Sequence, residues 1–243
     1  MTQPLISVVV PVLNEAENIE PLVREIVAAL SGKYAYEIVY VDDGSTDDTL
    51  TIAQGLMPQV PALRIVHHAQ RTGQSFAVRS GVKAAHGVWI GTLDGDGQND
   101  PADLPRLLDR ALAGGEGLGL VGGWRTQRKD TLWKKIGSKI GNGVRQFFLR
   151  DNCPDSGCGI KVFRRDAFLD LPAFHALHRF TPALMISRGW QCTYVPVNHR
   201  SRERGVSKYN NLQRALVGIV DLVGVAWLRK RARIVKSREI SRS

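Results

Sequence analysis

Across its first half the chain alternates short β-branched runs with stretches of helical periodicity, and this alternation limits the folds open to it. Ile6-Ser7-Val8-Val9-Val10-Pro11-Val12 reads as a strand buried on both faces. Leu22, Val23, Ile26, Val27 and Leu30 then recur at helical spacing, with Arg24 and Glu25 turned outward. Further strands are expected over 37–41, 63–67 and 88–93, with helices reaching about Gln54 after a Ser45 or Thr46 cap, and over 73–85 and 101–112. Pro101 suits a first helical turn, where its missing N–H costs nothing. Strands alternating with helices predict an α/β fold whose parallel sheet is joined by right-handed crossovers.

Beyond Val121 the rhythm loosens. Gly122, Gly123, Gly141, Gly143, Gly157 and Gly159 suggest loops and close backbone approaches rather than further βα units. A helix is expected over 132–149, and strands over 160–163 and 193–199. With no linker or internal repeat, the chain divides into one domain over 1–209 and a helical extension with a basic tail over 210–243.

Open parallel sheets bind ligands beyond the carboxyl ends of their strands. Here those ends carry Asn14-Glu15, Asp42-Asp43 and Asp94-Gly95-Asp96-Gly97-Gln98, where a dinucleotide-binding enzyme would carry a glycine-rich turn. Carboxylates repel a pyrophosphate unless a hard divalent cation lies between them, and oxygen ligands suit Mg²⁺ or Mn²⁺. If the last stretch stays extended, Asp94 and Asp96 point to one side and Gln98 continues the parity. An Asp/Gly turn is the ordinary alternative for one such segment. A calcium loop is excluded, because Pro105 stands where its closing glutamate belongs. Acid at three strand ends together points to a cation-assisted phosphate site.

Val10-Pro11-Val12-Leu13-Asn14-Glu15, Val41-Asp42-Asp43-Gly44-Ser45-Thr46-Asp47 and Leu93-Asp94-Gly95-Asp96-Gly97-Gln98 resemble the inverting family 2 glycosyltransferases of the GT-A fold. Within them the chain is most similar to the polyprenol-phosphate sugar synthases, a group with dolichol-phosphate mannose synthases and undecaprenyl-phosphate glycosyltransferases. The resemblance implies a Rossmann-like nucleotide-diphospho-sugar transferase fold with a mostly parallel central sheet. It implies that Pro11, Leu13 and Glu15 line a nucleoside pocket, that Asp42 or Asp43 bonds the base, and that Asp94, Asp96 and Gln98 hold Mg²⁺ or Mn²⁺. Arg125 matches a basic residue near the phosphates. Asp155-Ser156-Gly157 resembles the loop beside the acceptor. Arg200 or Arg202, with Ser207 and Lys208, matches an element that closes over the diphosphate. The implied reaction moves a sugar from a UDP- or GDP-sugar to an undecaprenyl or dolichyl phosphate. Leu13 stands where many relatives carry tyrosine, and Asp155 and Cys158 make the acceptor loop atypical in detail.

One chemical argument separates the subclasses. A sugar hydroxyl needs a general base to attack, whereas a phosphate acceptor is already anionic. The resemblance places the base of relatives acting on hydroxyls, a Glu-Asp pair, near Phe174-His175-Ala176-Leu177-His178-Arg179-Phe180-Thr181-Pro182, which holds no carboxylate. The QxxRW element of processive polysaccharide synthases is also absent, so a phosphate acceptor is expected. His175 and His178 are read as packing or surface residues, with service as a base the alternative. Transfer to a hydroxyl of a glycolipid or polysaccharide is the alternative.

The formal net charge of +10 calls for an anionic partner, and much of it lies after Leu228, in Arg229, Lys230, Arg231, Arg233, Lys236, Arg238 and Arg242. Leu212, Leu216, Ile219, Val220, Val223 and Trp227 form an apolar stripe just before it, with Arg214, Gly218 and Asp221 on another face. That profile fits a helix lying in a lipid interface, and its charges argue against spanning. A helix packed on its own domain is the alternative. The N-terminus shows no secretory signal, and the three cysteines lack paired metal-ligand spacing. The expectation is a cytoplasmic protein held peripherally at the inner membrane, able to form a homo-oligomer, with no nucleic-acid partner.

Overall fold

The computed structural model describes residues 3–126, 143, 145–200 and 211–233. Seven strands form one sheet in the order β3-β2-β1-β4-β6-β5-β7. They are β1 (Ile6–Val12), β2 (Tyr36–Asp42), β3 (Leu63–His67), β4 (Trp89–Thr92), β5 (Leu118–Arg125), β6 (Lys161–Arg164) and β7 (Gln191–Val197). Strands β1 to β4 pair parallel, as do β5 and β7; β6 runs antiparallel to both β4 and β5. The expected parallel sheet is therefore mostly parallel, with a reversed strand near its middle.

The alternation along β1 and β2 explains the two-layer packing. Ile6, Val8, Val10, Ile38 and Tyr40 join the core beneath α1 (Ala16–Leu30), α2 (Thr49–Leu56) and α4 (Leu104–Leu112). Val9, Val39 and Val41 face the other way, toward α3 (Gln74–Ala84), α5 (Arg165–Leu169) and α6 (Leu177–Ser187). Successive side chains of a strand point to opposite faces, so a run that is apolar throughout is covered on both sides.

Several expected boundaries move. Ser45 and Thr46 do not cap α2: Ser45 Oγ accepts from Asn14 N–H and Thr46 Oγ1 from the Asn14 amide, while Thr49 N–H donates to Asp47 Oδ1. Pro101 opens a 3₁₀ turn (Pro101–Asp103) capped by the Asp100 side chain, and α4 begins only at Leu104. Strand β5 was not expected at all. Gly122 and Gly123 are close approaches, as read, but inside a strand rather than a loop: a Cβ on Gly122 would lie 2.9 Å from Tyr194, and one on Gly123 would lie 2.7 Å from Ile160. Of the helix expected over 132–149, residue 143 and residues 145–149 are described, and they are helical.

The last helix, α7 (Asn211–Arg231), packs Leu222, Val225 and Ala226 into the core beside α6. Its other face leaves Ile219 (59%), Val220 (72%), Val223 (59%) and Trp227 (58%) exposed. Leu212, Arg214 and Leu216 lie outside the described side chains. The helix thus packs on the domain and also shows an apolar face outward. No described helix is long and apolar enough to cross a membrane.

Candidate active site

The strand ends and the first turns of α3 and α6 enclose a cavity of roughly 540 Å³. Pro11, Leu13, Glu15, Asp43, Asp94, Asp96, Gln98, Arg125, Ser156 and Gly157 all line it. Asp42 does not. Its Oδ2 lies 2.8 Å from His67 Nδ1 and its Oδ1 accepts from Ser45 N–H, so of the two adjacent aspartates only Asp43 reaches the cavity. Arg202, Ser207 and Lys208 lie outside the described residues. Arg200 is described, and it turns away to Glu25 and Asp100, at 2.7 and 2.8 Å.

Asp43 holds the approach to α3. Its carboxylate accepts from Thr72 N–H, Thr72 Oγ1 and Gly73 N–H, and His68 Nδ1 lies 2.9 Å away. Burial pushes this carboxyl up, but the hydrogen bonds from Thr72, His68 and Gly73 outweigh it and keep the group below its usual range. The clamp aims the first residue of α3, Gln74, whose amide donates to Asp94 Oδ1 at 2.8 Å.

The Asp94-Gly95-Asp96 segment is a turn, so the extended course that would align its acids by strand parity is not the one taken. β4 ends at Thr92, Gly97 has φ +73°, and Asp96 Oδ1 accepts from Gln98 N–H. The two carboxylates share the cavity through this turn and not through strand parity, and the Gln98 amide leans toward the Arg200 carbonyl at 3.5 Å. Asp94 N–H donates to Asn99 Oδ1, and no side chain fits at the facing Gly159: a Cβ there would lie 2.1 Å from Asp94 Oδ2. Burial, reinforced by the Asp96 carboxylate, pushes Asp94 up to about 6 against the pull of Lys161, Gln74 and Arg125. Two crowded carboxylates with an amide oxygen nearby make a donor set suited to a hard divalent cation, which relieves that repulsion. Among the described residues no cluster of three or more His, Cys, Asp or Glu could hold a metal, so this pair would leave coordination positions for other oxygens.

Cations line the remaining wall. Arg125, at the end of β5, is gripped by both oxygens of Asp155 at 2.6 and 2.8 Å, a fork that sets the guanidinium plane. Asp155 thus orients Arg125. Lys161 opens β6, is buried, and donates to the Cys158 carbonyl beside Asp94. Lys161, Gln74, Arg71 and Arg179 belong to the cavity and were not singled out from sequence as cavity residues. A lysine opening a short strand and a glutamine opening a helix carry no local signature, and only the β4-β6-β5 pairing brings Lys161 beside the strand-end acids. All three cysteines are free, and burial pushes the Cys158 and Cys192 thiols up to about 11 and about 12, so they pack as neutral groups.

An open sheet that gathers carboxylates and cations at the carboxyl ends of its strands is an arrangement for handling phosphorylated substrates. The chain belongs to glycosyl transferase family 2, whose sequence model matches residues 7–171. It is 38% identical over 240 residues to a dodecaprenyl-phosphate galacturonate synthase of Rhizobium johnstonii, an alignment covering 94% of this chain and 68% of that one. It is 34% identical over 226 residues to an undecaprenyl-phosphate 4-deoxy-4-formamido-L-arabinose transferase of Edwardsiella ictaluri, covering 91% and 68%. The fold matches the crystal structure of glucosyl-3-phosphoglycerate synthase from Mycobacterium tuberculosis in complex with Mn²⁺, UDP-glucose and phosphoglyceric acid. That match has a TM-score of 0.66 at 20% identity, over 96% of this chain and 81% of the other.

Proposed function

We propose that this glycosyltransferase moves a sugar, with inversion, from a nucleoside-diphosphate sugar to a polyprenyl phosphate at a membrane surface. The observation that carries the reading is one cavity in which Asp94 and Asp96 meet a wall of Arg125, Lys161 and Arg179. The relatives named for dodecaprenyl- and undecaprenyl-phosphate chemistry support the acceptor class.

In this reading Pro11, Leu13, Glu15 and Asp43 take the nucleoside, and Asp94, Asp96 and Gln98 hold Mg²⁺ or Mn²⁺. The cation, when bound, offsets the charge of the diphosphate and of the leaving nucleotide. Arg125, oriented by Asp155, adds N–H donors where charge accumulates on the departing oxygens. Ser156 and Gly157 border the acceptor, and Arg202, Ser207 and Lys208 close over the donor. An ionised acceptor oxygen attacks the anomeric carbon, and the bond to the diphosphate breaks with its electron pair leaving on the nucleotide. No proton has to be removed, in keeping with the absence of a carboxylate at the start of α6.

Residues 1–209 form the catalytic unit and 210–243 the part that meets lipid, peripherally, on the cytoplasmic face. Ile219, Val220, Val223 and Trp227 of α7 face outward, while the partly buried Asp221 lies within electrostatic reach of Arg179 and His175. Arg229, Lys230 and Arg231 follow at the basic end, with the Arg231 guanidinium 5.7 Å from the Trp227 ring centre. A helix that turns its acid toward the domain and leaves one apolar face exposed suits a lipid interface.

The test is a screen of UDP- and GDP-sugars with purified protein, Mg²⁺ or Mn²⁺, and either a short-chain polyprenyl phosphate or free glycans, reading released nucleotide. Release should require both the cation and the phosphate acceptor. Asp96→Ala should lower it by roughly a hundredfold or more with an unchanged melting curve. Transfer to glycans alone, or full activity in chelator, would overturn the proposal.

A further inference from the structure

Among the described residues outside α7, the most exposed large apolar side chains are two neighbours, Phe147 (75%) and Phe148 (51%). Their rings meet edge to face, with centres 5.4 Å apart. Phenylalanine has no polar tip to offer water, so a paired exposure of this kind marks a contact surface. The pair stands on a fixed mount. Residues 145–149 are helical, and Leu149 is buried in the same core cluster as Leu222 and Val225 of α7. Arg145 and Asp151, both buried, hold the turn from either side with a two-pronged ion pair. Asp151 Oδ1 also accepts from Cys153 N–H, and the Gln146 amide donates to the Cys153 carbonyl at 3.0 Å.

The surroundings select the partner. Arg229, half-buried near the end of α7, lies within electrostatic reach of Asp151 and Arg145, so the basic end of α7 sits beside this mount. Arg150, Lys230, Arg231 and Arg233 are exposed. Asp151 is the one carboxylate between positions 143 and 154, and it is buried; none occurs from Leu222 to Arg233. Rings without polar tips, next to cations and with no exposed acid in either segment, match an anionic bilayer. The cations meet the headgroups while the rings enter the acyl boundary. A second copy of the chain meeting this surface face to face would set like charges together.

We propose that Phe147 and Phe148 form a second lipid contact, borne by the catalytic unit itself, which seats on an anionic bilayer beside α7. The inference rests on the membrane-surface reading above and extends it from residues 210–243 to residues 145–150. Its consequence for the cavity lies in the chain. Residues 149–154 join Phe148 to Asp155, whose carboxylate grips Arg125 at the cavity wall. A lipid seat at the phenylalanine pair therefore keeps that wall next to the membrane.

The experiment uses full chains: wild type, Phe147→Ser with Phe148→Ser, and Val220→Glu with Val223→Glu, each checked by melting curve and size-exclusion chromatography. Sedimentation with phosphatidylglycerol vesicles measures binding, and phosphatidylcholine vesicles supply the arm without net charge. A Phe147→Cys chain labelled with nitrobenzoxadiazole reports whether that position leaves water, with dye-treated wild type as the blank. The phenylalanine variant should bind phosphatidylglycerol about tenfold or more weakly than wild type. Wild type should bind phosphatidylcholine about tenfold or more weakly than phosphatidylglycerol. The label's emission should shift to the blue on phosphatidylglycerol vesicles. Wild-type affinity in the phenylalanine variant, or a label unmoved on vesicles, overturns the inference and leaves α7 as the lipid contact. Equal binding to both vesicles overturns the anionic partner. Binding lost with the phenylalanines but kept in the α7 variant supports the pair and overturns the assignment to α7. A wild type that ignores both vesicles overturns both contacts. A dimer that the phenylalanine variant dissolves makes the occupant a second copy, and the inference falls. Vesicle binding through the pair, in a chain that releases no nucleotide in the donor screen, keeps this contact and overturns the transfer reading alone.

Discussion

Asp94 shows how much of this site depends on single atoms. Its N–H donates to Asn99 Oδ1, one oxygen accepts from Gln74, and the other faces the bare backbone of Gly159. A methyl group on Gly159 would lie 2.1 Å from Asp94 Oδ2 and 2.5 Å from Asn99 Oδ1, well inside contact distance. Either the loop or the carboxylate must then move. Gly159→Ala is expected to weaken cation-dependent binding of UDP or GDP by about tenfold or more while the circular dichroism spectrum holds, since an ångström of misplacement at such a site costs much. Calorimetry with Mn²⁺ checks this; wild-type affinity would mean the loop yields at little cost. The sequence marked Asp94 and Asp96 through their place after a strand. It marked Gly159 only as a close approach, because the partner comes from another strand.

At the scale of elements, β1, β2 and β3 are joined at their amino-terminal edge by a buried carboxylate. Glu37 on β2 accepts from Ser7 Oγ on β1, from His86 N–H and from Arg64 on β3, each at 2.6 Å. Burial raises this carboxyl, but the bonds from Ser7, His86 and Arg64 prevail and hold it below 4.5. A group lowered in the folded state lends stability that is full above its unfolded value and is lost as pH falls through its folded value. Stability of the wild type should therefore fall as pH drops below about 4.5, and Glu37→Gln should flatten that limb. The variant should also lose about 1–3 kcal/mol at neutral pH through poorer pairing of buried donors. Melting curves from pH 3 to 7 decide it, and an identical acid limb in the variant would remove Glu37 as the cause. The element boundaries follow the same division between local and distant causes. β1 to β4 were legible because each strand repeats a local apolar pattern. β5 was hidden because three of its residues, Gly119, Gly122 and Gly123, leave room for Trp190, Tyr194 and Val197, which come from elsewhere in the chain.

For the whole molecule, the telling feature is that α7 buries Leu222 and Val225 yet leaves Ile219, Val220, Val223 and Trp227 exposed, with Asp221 near Arg179 and His175 of the domain. Sedimentation with phosphatidylglycerol vesicles should show binding that Val220→Glu with Val223→Glu reduces about tenfold or more, while transfer to a detergent-solubilised acceptor persists. High salt should weaken the wild type only in part, because each basic residue near an anionic surface adds about 1 kcal/mol and the apolar share is unscreened. Undiminished vesicle binding by the double variant would assign that face another role.

The sequence by itself determined the alternating elements, the acids that end three strands, and the apolar stripe with its basic end. Each is written in contacts between residues two to four apart, and an isolated segment already carries them. Only the tertiary structure decided that β6 runs backward between β4 and β5, that Asp43 and not Asp42 reaches the cavity, and that Asp155 orients Arg125. It also brought Lys161 and Arg179 to the strand-end acids. Those outcomes depend on strand order and helix docking, which join residues far apart in the chain by burial and leave no periodic trace in any one segment.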